Sequence, residues 1–347
     1  MKRKLTYLLA LACFLFLGNL QSQDIHSSHI HATPTFISPA LNGLFNGDIR
    51  FMANTRTQWN SVTKGYTTAS GAIDLKVLTM GNGDLLGAGI NVFADKAGDL
   101  DYRSTGVGVG VSYLKSLNGR RGGNYVSFGI QGAQLSSGLD YSKIEAFDAE
   151  PLVLQGATDK VNYLDFSAGI AWFYEFNKTT NMHFGVSAMH LNKPQVSYID
   201  IENLGDDQLL FRKLTFHGAV DFKLNRKSNL KPSFIFADQG PHREITAGSF
   251  YKYRTKADRI QKETSSIYLG AWLRWYAEKD IKGVDALVAA VRFDYKNTHM
   301  TFTFDVNIST LSQASGGSGG PEFSIVQILD FEERRKPFKV KCPAFTY

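Results

Sequence analysis

The sequence predicts an all-β fold, a transmembrane outer-membrane β-barrel of about 14 antiparallel strands. Three features predict it: alternation of apolar and polar residues, alternating connection lengths, and an N-terminal export signal. Between Met300 and Ser309 the even positions are apolar and the odd positions are polar. Because successive side chains of a strand point to opposite faces, one face of this segment meets an apolar medium and the other a polar one.

The same alternation recurs along the chain, for example over residues 164–176 and 213–224. We place strands at residues 47–56, 66–78, 85–94, 103–116, 123–135, 161–176, 181–190, 210–224, 229–238, 243–254, 264–277, 285–296, 299–309 and 322–332. Strands of soluble proteins are commonly about five or six residues long, whereas many of these windows are about twice that length. The strand lengths therefore favour a membrane barrel.

The connections between these strands are mostly short after even-numbered strands and include long ones after odd-numbered strands. The short turns are Gly81–Asp84, Asn118–Arg121, Asn177–Thr180, Asn225–Ser228 and Asn297–Thr298, and the long connections are Ser136–Lys160, Leu191–Leu209 and Thr310–Pro321. Outer-membrane barrels have short periplasmic turns and longer outer loops, so this pattern fits a periplasmic N-terminus. The connection Thr255–Glu263 breaks the rule. A soluble β-sandwich or adhesin, the alternative, explains the alternation within strands but not the loop lengths.

The first residues form a secretory signal peptide. Basic residues at positions 2–4 precede an apolar run from Leu5 to Leu20, and we expect cleavage after Ser22. A lipoprotein signal ending at Cys13 is the competing interpretation. No later segment approaches the roughly 20 apolar residues that a membrane helix needs. We therefore divide the chain into a signal peptide (1–22), an N-terminal periplasmic segment (23–46), the barrel (47–332) and a basic periplasmic tail (333–347).

Charge and cysteine content exclude two further classes. The formal net charge is +6, and three basic residues leave with the signal peptide, so the mature chain is near +3. A balance this mild does not indicate a nucleic-acid-binding protein. Cys342 is the one cysteine that follows the signal, so an intrachain disulfide is impossible. We expect outer-membrane lipid, and no nucleic acid, among the partners.

Several short segments, in this order along the chain, match the motifs of one protein family. They are Phe36–Gly43 (similar to Asn-Pro-Ala-Tyr-Ala-Gly), Arg56–Trp59 (Arg-x-Gln-Trp), Tyr66–Thr68, Phe304–Leu311 (Tyr-Asp-Ile-Asn), Ala314–Ser315, Gly319–Ile325 (Gly-Gly-Phe-Glu-Ile-Ser) and Cys342–Pro343. Through these segments the chain resembles the PorP/SprF family of type IX secretion system membrane proteins from Bacteroidetes. The resemblance implies an outer-membrane barrel that serves type IX export or, in gliding motility, the anchoring of a surface adhesin. It also implies a protein partner: a type IX cargo or adhesin, bound through its C-terminal sorting region.

The matching positions are the candidate partner-binding or structural residues. They are Pro39, Gly43, Arg56, Gln58, Trp59, Asp305, Asn307, Gly320, Glu322, Cys342 and Pro343. Arg56, Gln58 and Trp59 at the end of the first strand suit either an aromatic girdle or recognition of a partner. Asp305 and Asn307 are expected to point into the barrel, where the acid needs a cation, and we predict Arg292 of the adjacent strand.

We predict no catalytic residues, no cofactor and no metal site. No Gly-x-Ser-x-Gly elbow occurs, and Ser187 and His190 are three positions apart, so a strand would project them to opposite faces. His26, His29 and His31 could hold a metal, but they follow the cleavage site in a polar stretch and fit a solvated tail better. The glycines at 316–320 lack the lysine of a nucleotide loop.

Two questions stay open at the level of sequence. The basic residues between 334 and 341 are either simply solvated or dock a periplasmic subunit of the secretion machinery. A barrel of this size can be open or plugged, because interior width grows with strand number. The alternative function is therefore a passive, porin-like channel for small solutes.

Overall fold

The protein is a closed β-barrel, as the sequence predicts. The computed structural model describes residues 32–58, 65–98, 101–119, 123–139, 160–177, 179–196, 209–257, 263–278, 281–309 and 317–331. Fourteen strands follow one another around the barrel in chain order, and β1 pairs with β14 to close it. The pairing is antiparallel at this closure as elsewhere. The signal peptide, the histidine cluster and the basic tail lie outside the described residues.

The strands lie within a few residues of the predicted positions. They are β1 (Ile49–Gln58), β2 (Tyr66–Thr79), β3 (Leu85–Ala97), β4 (Tyr102–Ser116), β5 (Asn124–Gly138), β6 (Lys160–Asn177), β7 (Thr180–Met189), β8 (Lys213–Lys223), β9 (Ser228–Gln239), β10 (His242–Ala257), β11 (Glu263–Glu278), β12 (Ile281–Tyr295), β13 (Thr298–Asn307) and β14 (Ser318–Leu329). Both β12 and β14 begin four residues before the predicted start.

The two ends of the barrel differ in their connections. We call the end of the barrel at which β1 starts the turn end. Connections at this end follow even-numbered strands. The opposite end, where connections follow odd-numbered strands, is the loop end. Connections at the turn end include residues 80–84 and 296–297, whereas residues 139–159 and 190–212 join strands at the loop end. The connection after β10 is confined to residues 258–262 because β10 continues to Ala257, so the predicted exception to the loop rule is shorter than expected.

Alternation separates an apolar outer face from an inner face. Ile130, Phe302 and Leu164 on the outer face are half or more exposed, at 63%, 50% and 57%. Their neighbours Thr303 and Asp165 are buried inside the barrel. An outer band of exposed apolar side chains around a polar interior is the arrangement that lipid requires of a spanning barrel. Within the described part of the chain, no helix is long and apolar enough to cross a membrane.

Residues 32–45, which we call the lumen segment, lie inside the barrel. Every residue of the segment except Phe36 is buried. The segment contains a short helix α1 (Pro34–Ile37) and a 3₁₀ turn (Pro39–Leu41), each starting at a proline, whose fixed φ suits the first helical position. We expected residues 23–46 to form a periplasmic segment. The described part instead enters the lumen, because its apolar residues find buried partners there.

Two apolar clusters fill the lumen on opposite sides. The first joins the lumen segment to β3–β6 and contains Ala40, Leu41, Leu44, Leu85, Leu114, Tyr125, Ala171 and Phe173. The second belongs to β10–β12 and contains Phe250, Tyr268, Trp272, Val288 and Ala290. Within it, the indole of Trp272 donates to the Ser233 hydroxyl (3.0 Å). The interior of this barrel is therefore packed with side chains rather than left as a water-filled channel.

Candidate functional site in the barrel lumen

Serine hydroxyls on the barrel wall hold the backbone of the lumen segment. Ser187 on β7 donates to the carbonyl of Ile37 (2.6 Å). Ser127 on β5 donates to the carbonyl of Ala40 (2.7 Å), and Ser112 on β4 donates to that of Asn42 (2.6 Å). Since a buried carbonyl without a partner is costly, each serine offsets the desolvation of one backbone group.

Inward-facing glycines give the segment its room. A Cβ added at Gly129 would overlap the backbone of Pro39 and Ala40, and one at Gly110 would lie 2.6 Å from the Asn42 amide nitrogen. The same holds on neighbouring strands for Gly87, Gly89 and Gly169, where the added atom would overlap Asn42 or Ser38. We call the inner face of β3–β7, with these glycines and the three serines, the serine–glycine groove.

A buried ion pair fixes the end of the segment where it joins β1. Arg50 and Asp74 form two hydrogen bonds of 2.9 and 2.7 Å. Asp74 also accepts from the backbone N–H of Gly43 (2.7 Å), and Arg50 stacks over the Phe45 ring (4.8 Å). Gly43 has a φ of 70°, a backbone conformation that favours glycine, and a Cβ there would lie 2.7 Å from the Cα of Gly87. Both the backbone conformation and the lack of space therefore disfavour any other residue at this position.

On the opposite side, charged side chains form the seam network, so named because it lies beside the β1–β14 closure. It consists of Asn54, Arg56, Arg274, Asp285, Asp305 and Glu322. Arg56 and Arg274 both contact one oxygen of Asp305, at 2.8 and 2.9 Å. Arg274 further pairs with Asp285 (2.7 Å), and Asn54 donates to Glu322 (2.7 Å). The network links β1, β11, β12, β13 and β14.

Two β-bulges shape the strands beside this network. The register between β11 and β12 shifts at Asp285, and that between β13 and β14 shifts at Gly319. The next residue, Gly320, has a φ of 155°, and a Cβ there would overlap the carbonyl oxygen of Thr57 on β1. Bulges re-aim side chains at functional places, and here they let β14 approach the end of β1 closely. Asn307 caps the next turn by accepting from the backbone of Ser309 (3.0 Å).

The predicted pairing of Asp305 with Arg292 is wrong. In the β12–β13 register Arg292 lies opposite Thr301, whereas Asp305 lies opposite Val288. Arg292 therefore sits four positions along the strand from the acid, too far to reach it. It binds Asp294 instead, with distances of 2.7 and 3.2 Å.

Arg292 is one of three cations that surround a buried tyrosine nearer the turn end. Its guanidinium lies 4.8 Å from the centre of the Tyr268 ring, and the ammonium groups of Lys231 and Lys252 lie 5.7 and 5.4 Å away. Asp221 pairs with Lys231 (3.1 Å). Cation–π contacts and carboxylates together stabilise these buried charges.

At the turn end, Asp84 ties the connection between β2 and β3 to β4. Its carboxylate accepts from Tyr113 (2.6 Å), Lys115 (2.8 Å), the backbone of Ser116 (2.9 Å) and Asn82 (2.9 Å). Burial raises the pKa of Asp84, but these hydrogen bonds outweigh burial and lower it to about 2. Asp84 therefore stays charged at any physiological pH.

Of the eleven candidate residues, five lie in the lumen segment or the seam network, and three more lie around that network. Pro39 and Gly43 lie in the lumen segment, and Arg56, Asp305 and Glu322 meet in the seam network. Gly320, Asn307 and Gln58 lie around the network, with Gln58 paired to Tyr66 at the end of β1. Trp59, Cys342 and Pro343 lie outside the described residues.

Ser187 and His190 were predicted to face opposite sides, but both are buried inside the barrel. His190 follows the last residue of β7 and has a φ of 55°, so strand alternation does not extend to it. The two side chains have different partners: Ser187 binds the carbonyl of Ile37, and His190 pairs with Asp165 (2.8 Å).

Three features of the lumen escaped sequence reasoning: the groove, the Arg50–Asp74 pair and the role of Arg274. A signal for each is present. Charged residues at inward positions of an alternating strand, such as Arg50 and Arg274, imply internal ion pairs. Glycine at inward positions of several adjacent strands, as at Gly110 and Gly129, implies close approach of another part of the chain.

A family comparison places these motifs in a known group. The model of the family described as type IX secretion system membrane protein PorP/SprF matches residues 19–319. That range includes the lumen segment, the groove and most of the seam network. Among curated proteins, none matches this chain significantly.

Several solved structures similar to this chain are membrane channels or transporters of low sequence identity. A deletion mutant of TodX, a monoaromatic hydrocarbon channel, is 9% identical, with 85% of this chain and 92% of that chain covered and a TM-score of 0.50. The channel CymD is 9% identical (88% and 94% covered, TM-score 0.48), as is the toluene transporter TodX of P. putida (85% and 93%, TM-score 0.46). At this identity the likeness concerns the fold alone.

Proposed function

Because this chain belongs to the PorP/SprF family of type IX secretion system membrane proteins, we propose that it anchors or helps to export a surface protein at the outer membrane. It is an outer-membrane β-barrel of the type IX system. The proposed partner is a type IX cargo, such as a surface adhesin, that binds through its C-terminal sorting region. The proposed role is binding, without catalysis.

The filled lumen is the observation that supports binding over passive transport. The lumen segment occupies the side of β3–β7, and the seam network with the aromatic cluster occupies the other. Ions and solutes cross a porin through a continuous water-filled interior. A barrel packed in this way suits a rigid platform whose ends, rather than its interior, contact the partner.

We place the cargo contact at the loop end. Two large apolar side chains are exposed there beside the β7–β8 connection, Leu191 (38%) and Phe211 (36%). Exposed apolar groups outside the lipid-facing band are candidates for a protein interface. The turn end, where β1 starts and β14 ends, is assigned to periplasmic subunits of the machinery.

Site-specific photocrosslinking in native cells tests this proposal. A benzophenone amino acid replaces Phe211 at the loop end or, as a matched control, Leu224 in the turn-end connection. We expect a crosslink at position 211 to a surface protein that carries a type IX sorting region, identified by mass spectrometry. Position 224 is expected to yield a different partner or only lipid.

The opposite outcome would support the passive channel. If position 211 gives no protein adduct and cells lacking the barrel display their surface proteins normally, anchoring is wrong. Deletion of residues 333–347 adds a second test, since normal surface display by that variant would remove the proposed docking role of the basic tail.

A further inference from the structure

We propose that the serine–glycine groove is a peptide-binding site, and that the lumen segment is its exchangeable, non-covalent ligand. The ligand class is a peptide with small residues at its centre, as in Ser38, Pro39 and Ala40. This inference concerns the inner wall of the barrel and does not depend on the identity of the cargo.

The contacts between groove and segment are those of a receptor with a peptide. The three serines bind backbone carbonyls of Ile37, Ala40 and Asn42, groups that every peptide carries. The glycines act by excluding bulk: a Cβ at Gly129 would overlap the backbone of Pro39 and Ala40, and Ala40 is itself fully buried, so neither position has room for a larger side chain. Recognition therefore combines backbone hydrogen bonds with a steric limit on size.

The segment is not part of the sheet. Its own backbone hydrogen bonds close local turns, from Phe36 to Thr33 (3.0 Å) and from Leu41 to Ser38 (3.1 Å). Pairing with the strands starts at Asp48, whose N–H donates to Leu329 (2.8 Å). Removal of the segment would thus leave every strand ladder in place.

The covalent link between segment and barrel is accessible. Asn46 is exposed, and it lies between buried Phe45 and the start of β1. A protease recognition sequence is therefore inserted between Asn46 and Gly47. Cleavage there converts the segment into a separate peptide that is held without a covalent link, by the groove and by the Arg50–Asp74 pair.

The experiment uses the purified mature barrel with this inserted site. After cleavage, a fluorescent synthetic peptide of residues 32–46 is added, and its binding is followed by anisotropy. We expect saturable binding to the cleaved barrel and none to the uncleaved one, in which the tethered segment blocks the groove. A peptide with Ala40→Trp should bind at least about tenfold more weakly, because the groove has no space for the indole.

Two substitutions on the same strand provide a matched control. Gly129→Leu fills the groove and should abolish binding of the labelled peptide, whereas Gly132→Leu lies on the outer face, where an added Cβ makes ordinary contacts, and should leave it unchanged. Heat-modifiable gel migration confirms that each variant is a folded barrel. The proposal is overturned if the cleaved segment never exchanges with the labelled peptide, or if both folded variants bind it equally.

Discussion

The two sides of the lumen are filled in different ways. Along β3–β7 the wall carries glycine and serine, and a separate piece of the chain provides the bulk. Along β9–β14 and β1 the wall provides the bulk itself, with the long side chains of Arg274, Tyr268 and Trp272. One barrel thus combines a filling that is a separate segment, which we call the removable side, with a filling by its own wall, the built-in side. The seam network on the built-in side joins β1 to β14 by ion pairs and hydrogen bonds.

The largest expected effect is on the built-in side. Asp305→Ala leaves Arg56 and Arg274 buried without the carboxylate that they share. Loss of one partner of a buried ion pair costs about 3 to 5 kcal/mol, so the free energy of unfolding in detergent should fall by about that amount. Urea titration of gel migration measures it.

The control for this prediction is a pair at the barrel surface. Asp238 contacts Arg243 at 2.7 Å, but the arginine side chain is 65% exposed. Asp238→Ala should change stability by less than about 1 kcal/mol. Equal effects of the two substitutions would show that burial of the seam network is unimportant for stability.

The next effect concerns the close approach of β14 to β1. Gly320→Ala should lower the free energy of unfolding by about 1 to 3 kcal/mol, because the backbone conformation favours glycine and the added Cβ overlaps the Thr57 carbonyl. Gly283→Ala meets no atom within 4 Å and should be nearly neutral. The same urea titration compares both variants with the parent, and a neutral Gly320→Ala would contradict the tight seam.

A smaller effect is expected on the removable side. Ser127→Ala removes one hydrogen bond to the lumen segment, worth about 1 kcal/mol, which should increase transient opening about fivefold without unfolding the barrel. The measurement is the reaction rate of a maleimide with Thr35→Cys in a Cys342→Ser background. Ser249→Ala on the outer face of β10 is the matched control, and its rate should equal that of the parent.

The smallest effect on stability is expected for Asp84 at the turn end, which belongs to neither side of the lumen. The folded pKa of Asp84 is about 2, below the usual value near 4, so its contribution to stability is present above about pH 4 and is lost as pH falls toward 2. Lys115 is half exposed, so solvent screening limits the contribution to about 1 kcal/mol or less. The free energies of unfolding of the parent and of Asp84→Asn are measured at pH 7 and at pH 2.5. We expect a measurable difference between the two proteins at pH 7 only.

The strands that form the barrel wall were predicted more accurately from the sequence than the groups that fill the lumen. Alternation locates each strand because the membrane imposes one simple rule on every outward position, as in Phe302 or Ile130. Ion pairs inside the lumen obey no such rule. Asp305 pairs with Arg56 across the β1–β14 closure and with Arg274 on β11, two strands away. The distance between Asp305 and Arg292 depends on the register of β12 and β13, which the sequence does not show.

The lumen segment was missed for a related reason. Residues 32–45 lack strand alternation and precede the first strand, so the sequence favours a tail outside the barrel. Their position depends on glycines and serines on β3–β7, which come together only after the sheet has closed. A segment and its receptor site that are distant in sequence carry no shared local pattern.

The central feature of this barrel is a lumen closed by its own filling, and conductance of the mature protein in a planar lipid bilayer tests it most directly. We predict no steady channel for the intact barrel, and a large, steady conductance once residues 24–45 are deleted. A large, steady conductance from the intact protein would contradict the account and favour a passive pore.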